Sequence, residues 1–389
     1  MNKIYVVGDS HAKRFQGNDF ETHEIIFATA HNLREIDSSS NSNNKIFNIL
    51  NTIDKKEKIV LAFGEIDCRV HFCNDIDNGN PFNFNRINVT VERYFQFILD
   101  VWKGGWKNLV IFSPTASSPF DIIDGNFPTM GTTEDRNKAT YLFGKLLEDK
   151  CKKHNITFVS IYEDLLESEF KSDIKYYQDD KVHIKPEYQV EFFKNALREK
   201  QIPFKYGGRK RKPSMNKVLN YLDTIDNPIM IEIGQTRNYY NWHGDGYSTP
   251  LFTWYSNQRD DCKFYSVDID DHTKVFEGIF GIWGLKNPNI FQQDGMQFLR
   301  NFESKIDFLY LDAWDYHRER EDIQKLSEES HLEAFKIAES KLNKNALILI
   351  DDILDQETYK GKGRLLIPYM LESGYELIHK SYQFLFKRR

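Results

Sequence analysis

Short apolar runs that close on small or polar residues alternate with helix-length amphipathic stretches, and this alternation occurs twice along the chain. In the first half the runs are IYVVGD, KIVLAFG, NLVIFSP and ITFVSI, with helical patterns such as 88–103 and 136–154 between them. Strands separated by whole helices pair in parallel through crossovers, and the crossovers cover both faces of the sheet. The series resumes with PIMIEIG, KFYSVDID, NIFQQDG, IDFLYLDA, ALILIDDI and YELIHKSYQFLFK. The fold class this predicts is α/β, two doubly wound parallel-sheet domains in series. The boundaries read as a first domain over 1–200, a basic linker over 201–215 and a second domain over 216–389. The linker, QIPFKYGGRKRKPSM, combines paired Gly, a Pro and four basic residues in a row, the composition of an exposed connector.

Composition narrows the function classes. With 389 residues, 40% of them apolar and 14% aromatic, the chain can bury two cores of ordinary size. A formal charge of −6 lacks the basic footprint of a nucleic-acid binder. No window nears the roughly 20 apolar residues of a membrane span. Met1-Asn2-Lys3 runs straight into a strand pattern without a secretory stretch, so a cytoplasmic protein is expected. Cys68, Cys73, Cys151 and Cys262 are too sparse for a disulfide framework and read as reduced thiols. Cys68, His71 and Cys73 lack a fourth ligand at zinc spacing and read as structural.

The first strand ends as VVGDSHAKRF, placing Ser10 just past the sheet. Such a serine is either an activated nucleophile or the cap of the next helix, because Ser and Asp both favour that position. A nucleophile needs a base oriented by a third group, and Asp180-Lys181-Val182-His183 supplies the residue types. Together with Gly64-Glu65-Ile66-Asp67 after a strand, these blocks resemble the SGNH (GDSL-like) hydrolases over about the first 200 residues. The resemblance implies Ser10 as nucleophile, His183 as general base and Asp180 as its partner. The chain departs from the family at the oxyanion hole: Ile66 stands where an Asn is expected, and the second block, Ala28-Thr29-Ala30-His31-Asn32, has no Gly. Losing one such donor costs about 10²–10³ in rate. Arg69, His31 or Asn32 could compensate; otherwise the domain is slow or has become a binding module. Glu65, Asp67 and Arg69 also predict an internal ion pair, either Asp67–Arg69 or Glu65–Arg69.

In the second half, IMIEIGQTRN sets Glu232 and a tight Gly234 at the end of a strand, suited to close approach of a ligand to backbone amides. Asp268 ends the next strand, Asp294 follows the third, and the fourth and fifth end in FLYLDAWDYH and LILIDDIL. This series resembles the class I S-adenosylmethionine-dependent methyltransferases, and within them the metal-dependent O-methyltransferases of the catechol and macrocin types. The resemblance implies S-adenosylmethionine as cofactor, with Glu232 and Gly234 near its methionine part, Asp268 on the ribose and Asp294 near the adenine. It also implies Asp312, Asp351 and Asp352 as ligands of a divalent ion. Carboxylates converging on one sheet edge repel unless a cation or protonation relieves them, and hard oxygen ligands suit Mg²⁺, or Mn²⁺. Asp315 and His317 are equal candidates for the base. Trp242, His243 and Tyr247-Ser248-Thr249 could line the mouth or simply pack. A fusion of an ester handler with an O-methyltransferase predicts a bifunctional enzyme acting on a glycan or a glycosylated small-molecule acceptor, with no nucleic-acid partner. Oligomeric state is not legible.

Overall fold

The computed structural model describes residues 3–74, 79, 81–122, 127–238, 241, 244–286 and 289–389. The chain divides into two compact units, Met1–Gln201 and Ile202–Arg389.

In the first unit five strands are parallel: β1 (Ile4–Gly8), β2 (Phe20–Glu24), β3 (Lys58–Ala62), β4 (Leu109–Phe112) and β5 (Thr157–Val159). Their order is β2-β1-β3-β4-β5, with Ile4 in register with Phe20 on one side and Lys58 on the other. This is the flavodoxin-like order, whose direction of winding reverses between β1 and β3 and opens a crevice at their carboxyl ends. Strand β2, FETHE, has no apolar run to announce it. As an edge strand it pairs on one side only, and its inner neighbour supplies the burial. One face packs Leu61 and Phe63 against the helices Phe84–Lys103 and Thr133–Lys153. The other packs Val60 and Phe112 against Phe193 of the helix Pro186–Glu199. Both long helices begin a turn earlier than their apolar periodicity predicts. Asn83 accepts from the Arg86 amide at the start of one, and a Thr132–Asp135 capping box starts the other. A short antiparallel pair, β6 (Leu166–Ser168) and β7 (Lys171–Ser172), lies outside the main sheet.

The second unit holds a seven-stranded sheet ordered β10-β9-β8-β11-β12-β14-β13. Its strands are β8 (Ile229–Ile233), β9 (Lys263–Asp268), β10 (Asn289–Gln292), β11 (Ile306–Leu311), β12 (Leu342–Ile350), β13 (Glu376–Lys380) and β14 (Phe384–Lys387). The first five are parallel, whereas β14 runs antiparallel to both β12 and β13. YELIHKSYQFLFK is therefore two strands and a turn. The order reverses at β8 and β11, which again opens a crevice at the strand ends. Ile231, Leu309 and Ile348 fill one face of the sheet and Met230, Phe308 and Leu347 the other, as expected for strands apolar along their whole length.

The segment 201–215 is not an exposed connector. Gly208–Leu222 is a helix, and within it Arg211, Ser214 and Met215 are buried. A local reading treats a basic run as solvated; the partners that draw Arg211 inward lie 140 residues away. No described helix is long and apolar enough to cross a membrane. The four cysteines are free.

Leu309 is fully buried at the centre of the second sheet. Leu309→Ala is expected to cost about 2–5 kcal/mol, measured as a lowered urea midpoint at unchanged slope.

Candidate active sites

Strand β1 delivers Ser10 to the reversal point of the first sheet, at the first residue of a short helical turn, Ser10–Arg14. The cap of that turn is Asp9, whose carboxylate accepts from the His11 amide at 3.0 Å. The Ser10 hydroxyl is thus left to another partner. It lies 2.8 Å from Nε2 of His183, and Nδ1 of His183 lies 2.8 Å from Asp180 Oδ2. The other oxygen of Asp180 accepts from the amides of Val182 (3.0 Å) and His183 (2.9 Å). Lys181 adopts a left-handed conformation (φ 61°) that turns the loop tightly enough for this. Burial acts to raise the Asp180 pKa, but those amides and the imidazole outweigh it and hold the carboxyl below its ordinary value. The three residues named from sequence form one hydrogen-bonded chain.

Beneath them lies a layer of buried ionisable groups. Glu65 and Arg69 are both buried and pair through Nε–Oε1 at 2.5 Å and Nη2–Oε2 at 3.3 Å, so the internal ion pair is Glu65–Arg69. Arg69 also donates to the Phe127 carbonyl. Asp67 turns to the second block and accepts from the amides of Ala30 (2.6 Å) and His31 (3.4 Å). The His31 ring meets Thr90 Oγ1 at 2.8 Å. Two of the three candidate substitutes for the missing oxyanion donor, Arg69 and His31, are therefore engaged elsewhere, and Ile66 is buried. His11 is 4% exposed and its ring lies 4.7 Å from that of His183. Among the described residues neither of its ring nitrogens has a hydrogen-bond partner. Burial first, then His183, Arg69 and Arg14, pushes its pKa well below the ordinary imidazole value. His11 is the residue of this site that the sequence did not single out.

In the second unit, Gly234, Asp268, Asp294, Asp312, Asp315 and Asp352 line one cleft of about 340 Å³ at the strand ends, a volume within the range of small-molecule sites. Gly234 is held at φ 100°, where a Cβ would lie 2.5 Å from the Ala313 nitrogen, so only glycine permits β8 and β11 to end so close together. Asp268 accepts from the amides of Gln235 (2.8 Å) and Asp270 (3.0 Å). Asp294 caps the helix Gly295–Asn301 through the Gln297 amide at 2.8 Å. Glu232 does not line the cleft. It is fully buried, accepting from Thr249 Oγ1 (2.7 Å) and Ser266 Oγ (2.6 Å), and burial lifts its pKa to about 7. Tyr247, Ser248 and Thr249 are buried residues at a helix start and not rim residues. Trp242 and His243 lie outside the described residues. Of the two base candidates, Asp315 lines the cleft and is bound by Arg237 Nη1 at 2.7 Å, whereas His317 is exposed and does not.

Asp312, Asp351 and Asp352 do converge, but the chain brings its own cations to them. Lys362 Nζ lies 2.6 Å from Asp312 Oδ1 and 3.0 Å from Asp352 Oδ2. Arg211 Nε lies 3.0 and 2.8 Å from the two oxygens of Asp351, and its Nη2 lies 3.1 Å from Asp352 Oδ1. Tyr310 donates to Asp351 Oδ2 (2.7 Å) and Asp312 Oδ2 (3.2 Å), and Tyr382 donates to Asp352 Oδ1. Five of the six carboxylate oxygens thus face a protein donor of their own and Asp312 Oδ2 shares the single Tyr310 hydrogen with Asp351, whereas a divalent ion needs oxygens turned toward itself and its waters. This donor set does not fit a divalent-ion site. Among the described residues, the group whose ligand atoms do gather, within 4.8 Å of one another, is Asp268, Asp270 and His272. Burial opposes the charge on Lys362, but Asp312, Asp352 and Asp351 outweigh it and keep the ammonium protonated. Although burial works against it, Lys362, Tyr382 and Arg211 hold Asp352 down to about 2. Sequence reasoning missed Lys362, Arg211, Tyr310 and Tyr382. The only signal for the two cations was that three converging carboxylates, one of them buried, need counter-charge.

The chain matches no protein-family model and no curated protein. Among solved structures it is similar to a GDSL-like lipase from Bacteroides thetaiotaomicron VPI-5482, at 15% identity over 51% of this chain and 89% of that one, with a TM-score of 0.33. It is also similar to the O-methyltransferase NovP, at 12% identity over 45% of this chain and 78% of that one, with a TM-score of 0.33. A third is NSun6 from Pyrococcus horikoshii with SFG, at 14% identity over 43% of this chain and 49% of that one, with a TM-score of 0.33.

Burial, and next the charge of Glu65, raises the Asp9 pKa to about 8; burial raises that of Asp67 to about 7. The folded state therefore holds protons that the unfolded chain releases near 3.8. Their stabilisation is complete below about pH 4 and is lost as pH rises through about 7 to 8. The melting temperature is expected to fall from about pH 4 to about pH 8 and then level. In Asp9→Asn the decline should shrink and end near pH 7, where Asp67 alone still titrates, as read from thermal unfolding curves.

Proposed function

We propose that the chain is a bifunctional glycan-tailoring enzyme. Its first unit cleaves an ester with Ser10, His183 and Asp180, and its second transfers a methyl group from S-adenosylmethionine to a sugar hydroxyl. The observation that carries the first half is the unbroken Ser10–His183–Asp180 chain, with 2.8 Å at each link. His183 Nε2 takes the Ser10 proton as Oγ attacks the ester carbonyl, then returns it to the departing sugar oxygen, and water releases the acyl group by the same relay. Asp180 fixes the imidazole tautomer, because its carboxylate can only accept from Nδ1–H.

The second half rests on the cleft at the β8–β11 reversal. In this reading Gly234 lies near the methionine part of the cofactor, Asp268 takes the ribose hydroxyls and Asp294 lies near the adenine. S-adenosylmethionine held there would supply a sulfonium methyl for transfer to the acceptor oxygen, its thioether leaving as the C–O bond forms and the C–S bond breaks. Asp315, steadied by Arg237, faces the cleft and accepts the hydroxyl proton. A polar rim of Arg237, Asp245 and Tyr382 suits a sugar, or a glycosylated small molecule. Acyl and methyl groups occupy the same sugar oxygens, so removing one opens the site for the other.

The engaged Ala30 and His31 amides, together with Ile66, favour a second reading, in which the first unit only holds the acceptor. Hydrolysis of p-nitrophenyl acetate separates the two. Ser10→Ala should lower kcat/KM about 10³-fold or more; equal rates would leave the first unit a binding module. For the second unit, labelled S-adenosylmethionine with a sugar panel should transfer label, and Asp315→Asn should lower kcat about 10²-fold with little change in cofactor binding.

A further inference from the structure

Three negative charges at one sheet edge invite a divalent ion, yet the seat between them is already taken. Lys362 is 1% exposed, and its ammonium meets three acceptors: the Asp312 carbonyl at 2.7 Å, Asp312 Oδ1 at 2.6 Å and Asp352 Oδ2 at 3.0 Å. An ammonium has three donors, so its capacity is filled. The backbone is built to bring it there. After Asp352 the chain turns and comes back on itself: Ile353 bridges Gly361, and the Leu354 amide donates to the Lys360 carbonyl at 2.7 Å. Gly361 sits at φ 119°, where a Cβ would come within 1.9 Å of the Asp352 carbonyl, so a side chain there would push the return strand, and Lys362 with it, away from the carboxylates. Arg211 closes the cluster from the helix Gly208–Leu222.

We propose that Lys362 permanently occupies the place of the divalent ion at this rim, so that the methyl-transfer unit needs no metal and its acidic cluster is held in shape by an internal cation. Lys362 is thus a positioning residue: it fixes Asp312 and Asp352 and sets the charge of the wall that both line in the cleft. The inference rests on the methyltransferase reading for its chemistry, but not for its test.

That test is manganese binding by the full-length protein, followed by electron paramagnetic resonance of free Mn²⁺, beside calorimetric titration with S-adenosylmethionine. Wild-type protein should bind no Mn²⁺ at the rim with a Kd tighter than about 1 mM. Lys362→Met, which keeps the length of the side chain and removes its charge, should gain one Mn²⁺ at least about tenfold more tightly. The gained ion should be lost again in Lys362→Met combined with Asp352→Asn. A wild-type ion lost with Asp352→Asn overturns the proposal; one lost only with Asp270→Asn lies at the Asp268 corner and agrees with it. Should Lys362→Met not fold by circular dichroism, Lys362→Gln takes its place, and the wild-type titration decides regardless. Absence of S-adenosylmethionine binding would strike the methyltransferase reading alone, leaving the manganese comparison intact.

Discussion

A carboxylate taken out of water must meet a counter-charge, a set of amides or a proton, and both halves of this chain are organised around that requirement. Each sheet gathers acidic residues at the point where its winding reverses, because that is where strand ends diverge and side chains project into a crevice. In the first unit Glu65 is met by Arg69, Asp67 by two amides, and Asp9 by amides together with its retained proton. In the second, Asp312, Asp351 and Asp352 are met by Lys362, Arg211 and two tyrosine hydroxyls. The solutions differ, but each removes the need for a bound ion to hold the cluster together.

Architecture was the most legible part. Strands apolar along their whole length, separated by helices, leave little choice but a parallel sheet covered on both faces, and the first sheet and the first five strands of the second have that form, whereas β14 runs antiparallel. What escaped was structure whose cause is not local. Strand β2 reads FETHE and is a strand because β1 offers it a free edge, not because of its own side chains. The run GRKRKPSM reads as a connector and is helical because Arg211 has acidic partners far along the chain. The helix starts at Asn83 and Thr132 also escaped, although capping is a contact of only three or four residues' reach, because the apolar periodicity begins a turn later.

The sites divide along the same line. Asp180 and His183 lie three residues apart, and a single left-handed turn at Lys181 folds the loop so that one carboxylate accepts from two amides and a ring. Such geometry is encoded where it is used. Ser10 reaches them only through the sheet; its strand-end position left cap and nucleophile open, and only the resemblance of three blocks pointed to the second. For the acidic rim, sequence named the three carboxylates and the need for positive charge or a proton, but assigned the charge to a divalent ion rather than to Lys362 and Arg211. Lys362 is only ten residues beyond Asp352 and Arg211 more than a hundred before it. Neither spacing has a motif, because their approach depends on a returning loop and a packed helix.

Ser10 and Asp9 together show how one residue's role depends on its neighbour's. A helix start needs a capping acceptor, and had Ser10 supplied it the hydroxyl would be tied to backbone amides and turned from His183. Asp9 takes that duty, and its burial beside Glu65 costs it its charge below about pH 8. The protonated acid still accepts from the His11 amide through its remaining oxygen lone pairs, so the cap survives neutralisation. A neutral Asp9 also spares the site a further negative charge in a layer that already holds Glu65 and Asp67. The nucleophile's freedom is therefore a consequence of its neighbour's side chain taking the cap, one residue before it in the chain.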